Sequence, residues 1–279
     1  MKRVVFAGLA AAALLVACGN DDNTSSVSPA AVTLVTYDSF PTKGTPLNEA
    51  LAAFTADTGI AVQIVTAGDA GTMVTKAVLT AGNPEGDVMW GVDNTLLSAA
   101  TDGRVFEGDP SEVDFGDVCV NYDIAWFAEH GMEPPTTMDD LLLAEYKGLL
   151  VVENPATSSP GLAFLMATIA HTGEDTWQQY WTALRANGVE VVDSWDSAYY
   201  ERFSGAAGSA GDKPLVVSYG SSPPAEVVFA DPPRDDAPTG VIGSTCFRQT
   251  EYAGVLRGTS HPDEAARLAA FLLSEPFQK

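Results

Sequence analysis

The stretch "SYGSSPPAEVVFA" places hydrogen-bonding side chains between two regular elements. It runs from 218 to 230, and its first two residues are the last two of the β-rich segment "KPLVVSY". Small polar residues and two prolines then precede an apolar helical pattern. A polar strand end directly ahead of a helix N-terminus suits a small ligand. We therefore interpret Tyr219, Ser221 and Ser222 as candidate binding residues, although the serines also suit the cap of the next helix.

A second polar segment, "TSSPG", stands at the start of another predicted helix. It offers the Ser158 and Ser159 hydroxyls and the Gly161 amide. A helix N-terminus presents free N–H groups that attract anions or hydroxyl oxygens. Pro160 in the first turn also fits an ordinary capped helix start, and the two interpretations are compatible.

Two aspartates end predicted strands in the first part of the chain. Asp38 follows "VTLVTY", and Asp93 follows "DVMWGV". Ligands of open α/β sheets bind at the carboxyl ends of strands, so both carboxylates are candidate binding groups. Asp93 suits the cap of the next helix as well.

The sequence contains no motif for catalysis. "SYGSSP" is not a nucleophile elbow, because Ser221 lacks the following glycine. No H-E-x-x-H motif, phosphate-binding loop or zinc-ligand spacing occurs, and none of the three histidines lies near a candidate nucleophile in the sequence. We expect no enzyme activity, no cofactor and no metal site, and a secreted hydrolase ranks below a binding protein.

The charge of the chain limits its partners. Fourteen Lys and Arg residues oppose 37 Asp and Glu residues, for a formal net charge of −23. Nucleic-acid binding requires basic residues, so this class of partner is excluded. The charge is compatible with a cationic ligand, and an acidic surface also supplies solubility.

The N-terminus has the pattern of an export signal. Lys2 and Arg3 precede an apolar run to Ala17 that is too short to span a bilayer comfortably. The run ends in small residues before Cys18, as in a bacterial lipoprotein signal. We predict a signal peptide over 1–18, lipidation of Cys18, a flexible tether over 19–31 and an extracytoplasmic location with a lipid anchor in the membrane.

Two further cysteines, Cys119 and Cys246, remain after Cys18 is lipidated. In an exported protein we expect them to form a disulfide. Two buried free thiols are the alternative, and metal binding by two cysteines without a nearby histidine is disfavoured.

Strands and helices alternate in two sets, which implies parallel sheet covered on both faces. The predicted strands are 32–37, 61–67, 87–92, 148–153, 189–193 and 215–219, with a β-rich run without an immediate helix at 117–127 and a late β segment at 241–256. The predicted helices are 46–57, 72–81, 94–100 capped by Asn94, 138–144, 162–171, 175–186, 198–203 and 263–273.

This pattern predicts two α/β lobes with a ligand cleft between them. We assign 32–116 and 230–260 to lobe one and 117–229 to lobe two. Crossings between the lobes are expected near 117–123 and 225–232, and a C-terminal helix over 261–279.

Five motifs in a fixed order carry a resemblance to a known family. They are "TYDSF" at 36–40, "GVDNTLL" at 91–97, "TSSPGLAFL" at 157–165, "SWDSAYYERF" at 194–203 and "VSYGSSP" at 217–223. From about residue 33 to 278 the chain resembles the thiamine-binding subfamily of the extracytoplasmic solute-binding proteins of ABC transporters. The resemblance implies a type II periplasmic-binding-protein fold.

The resemblance also implies a ligand and roles for the candidate residues. Thiamine carries a permanently positive thiazolium, an aminopyrimidine and a hydroxyethyl arm. Trp195 occupies the position at which the family stacks an aromatic ring on the ligand, and a cation over such a ring gains about 0.5–2 kcal/mol. The further candidates are Tyr37, Tyr199 and Tyr219 for the walls, Asp38 and Asp93 for the cation or the amino group, and Ser158, Ser159, Gly161, Ser221 and Ser222 for hydrogen bonds.

The implied mechanism is capture of thiamine or its phosphate by closure of a monomeric receptor. The closed receptor would deliver the ligand to a membrane permease with its ATPase. Alternatives keep the fold and change the ligand: a ferric-iron receptor would use the Tyr199–Tyr200 pair, and a polyamine also suits carboxylates and aromatic rings.

Two departures from the family pattern bear on the ligand. The stretch "PTKGTP" has Lys43 and no aromatic where the family often has a tryptophan. Family chains also continue past a motif like "SEPFQ", so we expect a fuller sequence to extend beyond Lys279.

Overall fold

The computed structural model describes residues 30–278. The predicted signal peptide, Cys18 and most of the tether lie outside the described residues. The strands are β1 (Ala31–Thr36), β2 (Ala61–Thr66), β3 (Val88–Asp93), β4 (Ser111–Asp123), β5 (Leu150–Glu153), β6 (Glu190–Val192), β7 (Leu215–Tyr219) and β8 (Thr239–Val255). The helices are α1 (Pro46–Thr58), α2 (Ala70–Leu79), α3 (Leu97–Asp102), α4 (Ile124–His130), α5 (Ser159–Thr172), α6 (Trp177–Ala186), α7 (Ser222–Val228), α8 (Pro262–Leu272) and α9 (Glu275–Gln278).

Within residues 30–278 the strands form one eight-stranded sheet in the order β2-β1-β3-β8-β4-β7-β5-β6. The three strands at each end are parallel to one another where the chain alternates strand and helix. The long strands β4 and β8 stand between these parallel parts and pair antiparallel with each other and with their neighbours. The loops that follow β1, β2 and β3 therefore lie together on one side of β4 and β8. The loops that follow β5, β6 and β7 lie together on the other side.

Apolar side chains divide into cores on the two sides of the sheet's centre. Val32, Leu34 and Val88 belong to a core around β1–β3, and Leu150, Val152 and Leu215 belong to a core around β5 and β7. The crossing strands serve both, because β4 places Val113 in the first and Val118 in the second, while β8 places Ala253 in the first and Ile242 in the second. The predicted two-lobed α/β fold is confirmed. We call the β1–β3 side lobe one and the β5–β7 side lobe two.

The β-rich run predicted over 117–127 ends earlier than its composition indicates. β4 stops at Asp123, and α4 begins at Ile124. The Asp123 carboxylate accepts a hydrogen bond from the Trp126 amide at 3.0 Å, so a side-chain cap starts a helix inside a β-branched and aromatic sequence. The prediction of no immediate helix was wrong because capping outweighs β-propensity here.

Two predicted helices of lobe two differ in kind. The segment 138–144 forms separate 3-10 turns at Asp140–Leu142 and Ala144–Tyr146, because Leu143 between them is extended, with ψ of 145°. The segment predicted as a helix over 198–203 is a π-helical turn at Ser197–Arg202. Both segments remain compact but do not form regular α-helices.

Asn94 does not cap α3, which begins at Leu97. Its amide nitrogen donates to the Arg248 carbonyl at 3.2 Å, and its amide oxygen accepts from the Thr250 amide at 3.1 Å. Asn94 therefore ties the end of β3 to β8, and the turn before α3 is stabilised by Asp93.

A disulfide joins the two crossing strands. The sulfur atoms of Cys119 in β4 and Cys246 in β8 are 2.01 Å apart. The bond lies beside an irregularity in the pairing of β4 with β8 between Val118 and Val120, where the Thr245 hydroxyl accepts from the Val120 amide at 2.9 Å. Among residues 30–278, no helix is both long and apolar enough to cross a bilayer.

Candidate functional site

The loops after β1, β2 and β3 face the loops after β5, β6 and β7, and we call the space between them the cleft. Lobe one contacts lobe two through the N-terminus of α2. The Gly71 and Thr72 amides donate to the Thr157 carbonyl at 2.9 and 3.3 Å. The cleft is therefore closed at this point, and the free N–H groups of a helix N-terminus provide the contact.

Asp69 strengthens the same contact with a side chain. Its carboxylate accepts from the Ala70 amide at 2.7 Å and from the Trp195 amide of lobe two at 2.9 Å. Burial raises the pKa of this carboxyl. Asp69 therefore positions Trp195 when the lobes meet.

Trp195 is half-buried and is held at its ring as well as at its backbone. The indole N–H donates to the Ser218 hydroxyl at 2.9 Å. The ring stacks on Tyr199 with centroids 4.9 Å apart and planes inclined by 14°. A ring fixed at this angle can offer an aromatic surface to a ligand without losing rotamer entropy on binding.

The strand end at Tyr219 has the polar character that the sequence predicts. Ser222 is buried, and its hydroxyl lies 2.9 Å from that of Ser218, which in turn holds Trp195. Ser221 is exposed and its side chain does not cap α7. The Tyr219 ring centroid lies 6.2 Å from that of Trp195. Ser222 therefore supports the aromatic wall, and Ser221 remains open to solvent.

Tyr37 approaches from lobe one at the end of β1. Its ring packs edge-on against Phe40, with centroids 5.7 Å apart. Gly91, at φ +110°, makes room for it, because a Cβ there would lie 2.3 Å from the Tyr37 Cδ1 atom. Burial and the nearby Glu251 raise the pKa values of Tyr37 and Tyr219. Both phenols are neutral donors at neutral pH.

Asp38 is exposed, and the structure gives it a local role. Its Oδ1 accepts from the Gly68 amide at 3.0 Å, and its own amide donates to the Gly68 carbonyl at 3.1 Å. The residue ties the loop after β1 to the loop after β2 and keeps a solvent-facing carboxylate at the cleft.

Asp93 is fully buried and uses only one of its carboxylate oxygens locally. Oδ1 accepts from the Thr95 amide at 2.6 Å, the Thr95 hydroxyl at 2.5 Å and the Leu96 amide at 3.2 Å. Oδ2 is buried without a hydrogen-bond partner. Burial raises the pKa of this carboxyl. The sequence offers Asp93 as the cap of the next helix, but the capping residue of α3 is Leu96. Asp93 stabilises the turn before α3 instead, and its second acceptor remains available.

The "TSSPG" segment forms the start of α5, with Ser158 and Ser159 buried. The Ser159 hydroxyl has no partner, and Ser158 makes no side-chain cap. The Ser158 hydroxyl lies close enough to the Asp69 carboxyl to lower its pKa, although the two groups do not meet the criteria of a full hydrogen bond. Gly161 packs on β5, because a Cβ there would lie 2.4 Å from the Glu153 carbonyl oxygen. The glycine therefore permits close packing of helix on strand, while the serines leave unused polar groups beside the lobe contact.

Tyr199 lies behind Trp195 and is almost fully buried. Its hydroxyl donates to Glu226 at 2.9 Å, and its ring also packs on Phe203. An open pocket of about 400 Å³ adjoins this pair, lined by Trp195, Tyr199, Tyr200, Ala207, Ser222, Ala225, Glu226, Phe229, Ala230 and Asp231.

Several polar residues of the cleft region escaped the sequence analysis: Asp69, Asp114, Glu153, Gln249 and Glu251. Asp69 follows β2 as Asp38 follows β1, so the strand-end rule alone would have found it. Gln249 and Glu251 lie on the same face of β8 as buried Ala253, and polar residues at inward positions of a strand are a signal. Glu153 ends β5 with both carboxyl oxygens buried and unpartnered, and burial raises its pKa.

Comparison with protein families and curated proteins gives one consistent result. Residues 37–279 match the family described as bacterial extracellular solute-binding protein. The thiamine-binding periplasmic protein of Salmonella typhimurium is 27% identical over 260 residues, which cover 88% of this chain and 77% of that protein. The protein of the same name from Escherichia coli is 26% identical with the same coverage.

Solved structures share the fold at lower identity. A periplasmic thiamin binding protein superimposes with a TM-score of 0.76 at 24% identity, covering 88% of this chain and 79% of that chain. Iron-bound HitA from Pseudomonas aeruginosa gives 0.65 at 19% identity, covering 90% and 83%. The spermidine/putrescine substrate-binding protein PotD from Streptococcus pneumoniae gives 0.59 at 13% identity, covering 89% and 79%. These structures have the two-lobed periplasmic-binding-protein architecture, and their names refer to different ligands.

Proposed function

The chain belongs to the bacterial extracellular solute-binding protein family, and from that premise we propose that it binds thiamine or a thiamine phosphate in the cleft. Proteins of this kind are receptors and not enzymes. The curated relatives named above are thiamine-binding proteins, and similarity to them over 88% of the chain supports this ligand.

One feature of the cleft carries the proposal. Aromatic rings from both lobes, Tyr37 on one side and Trp195 with Tyr219 on the other, stand close to buried carboxyl groups. A thiazolium ring is flat and positively charged, so it gains from aromatic faces and from acidic groups at once. The buried hydroxyls of Ser159 and of Ser158, which lies beside Asp69, can exchange hydrogen bonds with a polar arm of the ligand.

The receptor captures its ligand by closure of the two lobes. The contact of α2 with the loop after β5 belongs to the closed form, and a ligand that touches both lobes favours that form. Opening takes place about the two crossing strands: β4, which contains the predicted crossing 117–123, and β8, which passes between the lobes after residues 225–232. The closed receptor docks on a membrane permease with its ATPase, and lipid on Cys18 anchors it at the membrane.

Calorimetric titration of the purified chain from residue 19 onward tests the ligand. Thiamine, thiamine diphosphate, spermidine and ferric citrate are compared in parallel at neutral pH. We expect saturable one-to-one binding of thiamine, tighter than that of spermidine. A response to spermidine or ferric citrate alone would contradict the thiamine proposal and retain a receptor of the same fold.

Iron is the weaker alternative for a structural reason. The Tyr199 hydroxyl is engaged by Glu226, and the Tyr199 and Tyr200 rings are perpendicular, at 88°. Among residues 30–278, no three or more His, Cys, Asp or Glu side chains converge as a metal site requires. A polyamine is the stronger alternative, since it shares the positive charge of thiamine.

A further inference from the structure

Three carboxyl groups form a row across three adjacent strands. β8 lies between β3 and β4, and Glu251 of β8 pairs in register with Asp93 of β3 on one side and Asp114 of β4 on the other. Directly opposed residues of antiparallel strands place their Cβ atoms about 4.5–5.5 Å apart, where like charges repel. Three ionised carboxylates in this arrangement would therefore destabilise the folded protein.

Two of the three carboxyls in the row are buried, and the hydrogen bonds of the row are incomplete. Asp93 is 0% exposed and Glu251 8% exposed, while Asp114 is the open end of the row. Gln249 donates to Glu251 Oε1 at 3.2 Å. The remaining acceptors Asp93 Oδ2, Glu251 Oε2 and Gln249 Oε1 are buried without a partner. The buried Trp90 indole N–H lies close enough to Glu251 and Asp114 to lower the pKa values of both. Because buried acceptors without a partner are costly, the remaining atoms indicate a missing positive group.

The groups that face the row are acidic or neutral. Tyr37 at the end of β1 and Tyr219 at the end of β7 are both close enough to Glu251 for its charge to raise their pKa values. The charge of Asp69, at the start of α2, likewise raises the pKa of Asp93. Among residues 30–278, no lysine or arginine forms an ion pair with Asp93, Asp114 or Glu251. The row lies where aromatic rings of the two lobes approach each other, and its charge is not balanced by the described part of the chain.

We propose that Asp93, Glu251 and Asp114 form the subsite that receives the positive charge of the ligand, with the central Glu251 selecting a cation over a neutral molecule of the same shape. This inference rests on the proposed function and deepens it. Because the described carboxyl groups do not converge on one point as metal ligands do, the cation is an organic one whose charge is spread over a ring or a chain.

Proton release accompanies capture. Burial, and then the neighbouring Asp114 and Asp93, raise the pKa of the Glu251 carboxyl to about 8. Burial also raises the pKa values of Asp93 and Asp114. At neutral pH the Glu251 carboxyl of the ligand-free row therefore holds a proton. A cation beside it favours the ionised carboxylates, lowers their pKa values and displaces protons to solvent.

Calorimetry with a matched pair of ligands tests the subsite. The probes are thiamine and its neutral analogue in which a thiophene replaces the thiazolium. Each is titrated at pH 7 in two buffers of different ionisation enthalpy, so that proton release is measured together with affinity. The variants are Glu251→Gln, which keeps the shape without the charge, and Glu112→Gln, which removes an exposed β4 carboxylate outside the row.

The parent chain is expected to prefer thiamine over the neutral analogue by at least about tenfold, which corresponds to about 1.4 kcal/mol, and to release protons on binding. Glu251→Gln is expected to reduce the preference to within about threefold and to abolish most of the release. Glu112→Gln is expected to behave as the parent chain. Asp114→Asn, at the open end of the row, supplies the same test if Glu251→Gln does not fold.

The outcomes separate the two proposals. If thiamine binds the parent chain and Glu251→Gln retains both the preference and the proton release, the subsite is wrong while the proposed function stands. If neither thiamine nor thiamine diphosphate binds the parent chain, the proposed function is wrong, and spermidine then serves as the probe cation. Spermidine affinity unaffected by Glu251→Gln, or the absence of binding by either cation, would overturn the subsite as well.

Discussion

Trp195 is fixed in the cleft through three different kinds of contact. Its backbone amide donates to Asp69, its indole N–H donates to Ser218, and its ring stacks on Tyr199. The amide contact depends on the lobes being together, whereas the other two lie within lobe two. The side chain is therefore in position before closure, and closure adds the contact to lobe one.

Replacing Trp195 tests this position. We expect Trp195→Ala to weaken thiamine binding about 2- to 30-fold, because a cation over an aromatic face contributes about 0.5–2 kcal/mol. Trp195→Phe retains a ring face and is expected to lose less. Titration calorimetry measures both, with circular dichroism as the check on folding. Equal affinity of the folded Ala variant and the parent chain would show that the ligand does not use this ring.

At the scale of elements, closure depends on one glycine at the start of α2. A Cβ on Gly71 would lie 2.8 Å from the Thr157 carbonyl oxygen and 2.9 Å from that of Ala156. Both atoms belong to the backbone of lobe two and cannot move aside cheaply. The helix N-terminus can donate its amides to Thr157 only because this position has no side chain.

Gly71→Ala is therefore expected to oppose closure without unfolding either lobe. Alanine in a helix is favoured over glycine by about 0.5–1 kcal/mol, so lobe one should not lose stability. We expect ligand affinity to fall at least about tenfold, because a smaller fraction of the chain reaches the closed form. Titration calorimetry measures the affinity, and small-angle X-ray scattering measures the compaction on ligand addition.

Gly243→Ala is the matched control for this substitution, because a Cβ there meets no atom within 4 Å. It is expected to bind and compact like the parent chain. A Gly71→Ala chain that compacts fully with ligand would contradict the role given to the α2 contact.

The acidic groups of the whole molecule link its stability to pH. Glu251, Asp93 and Glu153 have raised pKa values because folding buries them. Between the ordinary carboxyl pKa near 4.5 and about 8, the folded chain binds more protons than the unfolded chain. The contribution of these groups to the free energy of unfolding is therefore complete at the acidic end of this window. It is lost as pH rises through the window.

We expect the midpoint of thermal unfolding of the ligand-free protein to fall from pH 5 to pH 8, corresponding to about 1–4 kcal/mol of lost unfolding free energy. Differential scanning calorimetry in a buffer series measures it. Glu251→Gln should flatten the slope, since its amide does not titrate, and Glu112→Gln should not. A midpoint that rises steadily over this range would refute the assignment of protons to the buried carboxyls.

Periodicity and local chemistry determined much of this protein from the sequence alone. Alternating strand and helix patterns predicted the two-lobed α/β fold, because apolar periods of 2 and 3.6 depend only on near neighbours. The rule that ligands bind at strand ends predicts Tyr219 and Asp93 as binding residues for the same local reason. Asp123 shows the limit of such rules, since its cap turns a β-rich sequence into the helix α4.

The tertiary structure alone decided what depends on pairing between distant segments. Asp93, Asp114 and Glu251 lie far apart in the chain, and only the registers of β3, β8 and β4 set them side by side. Likewise, the contact of Gly71 with Thr157 exists only because the two lobes close on each other. Strand register and lobe contact depend on interactions summed over the whole chain, so no local pattern specifies which carboxyls become neighbours.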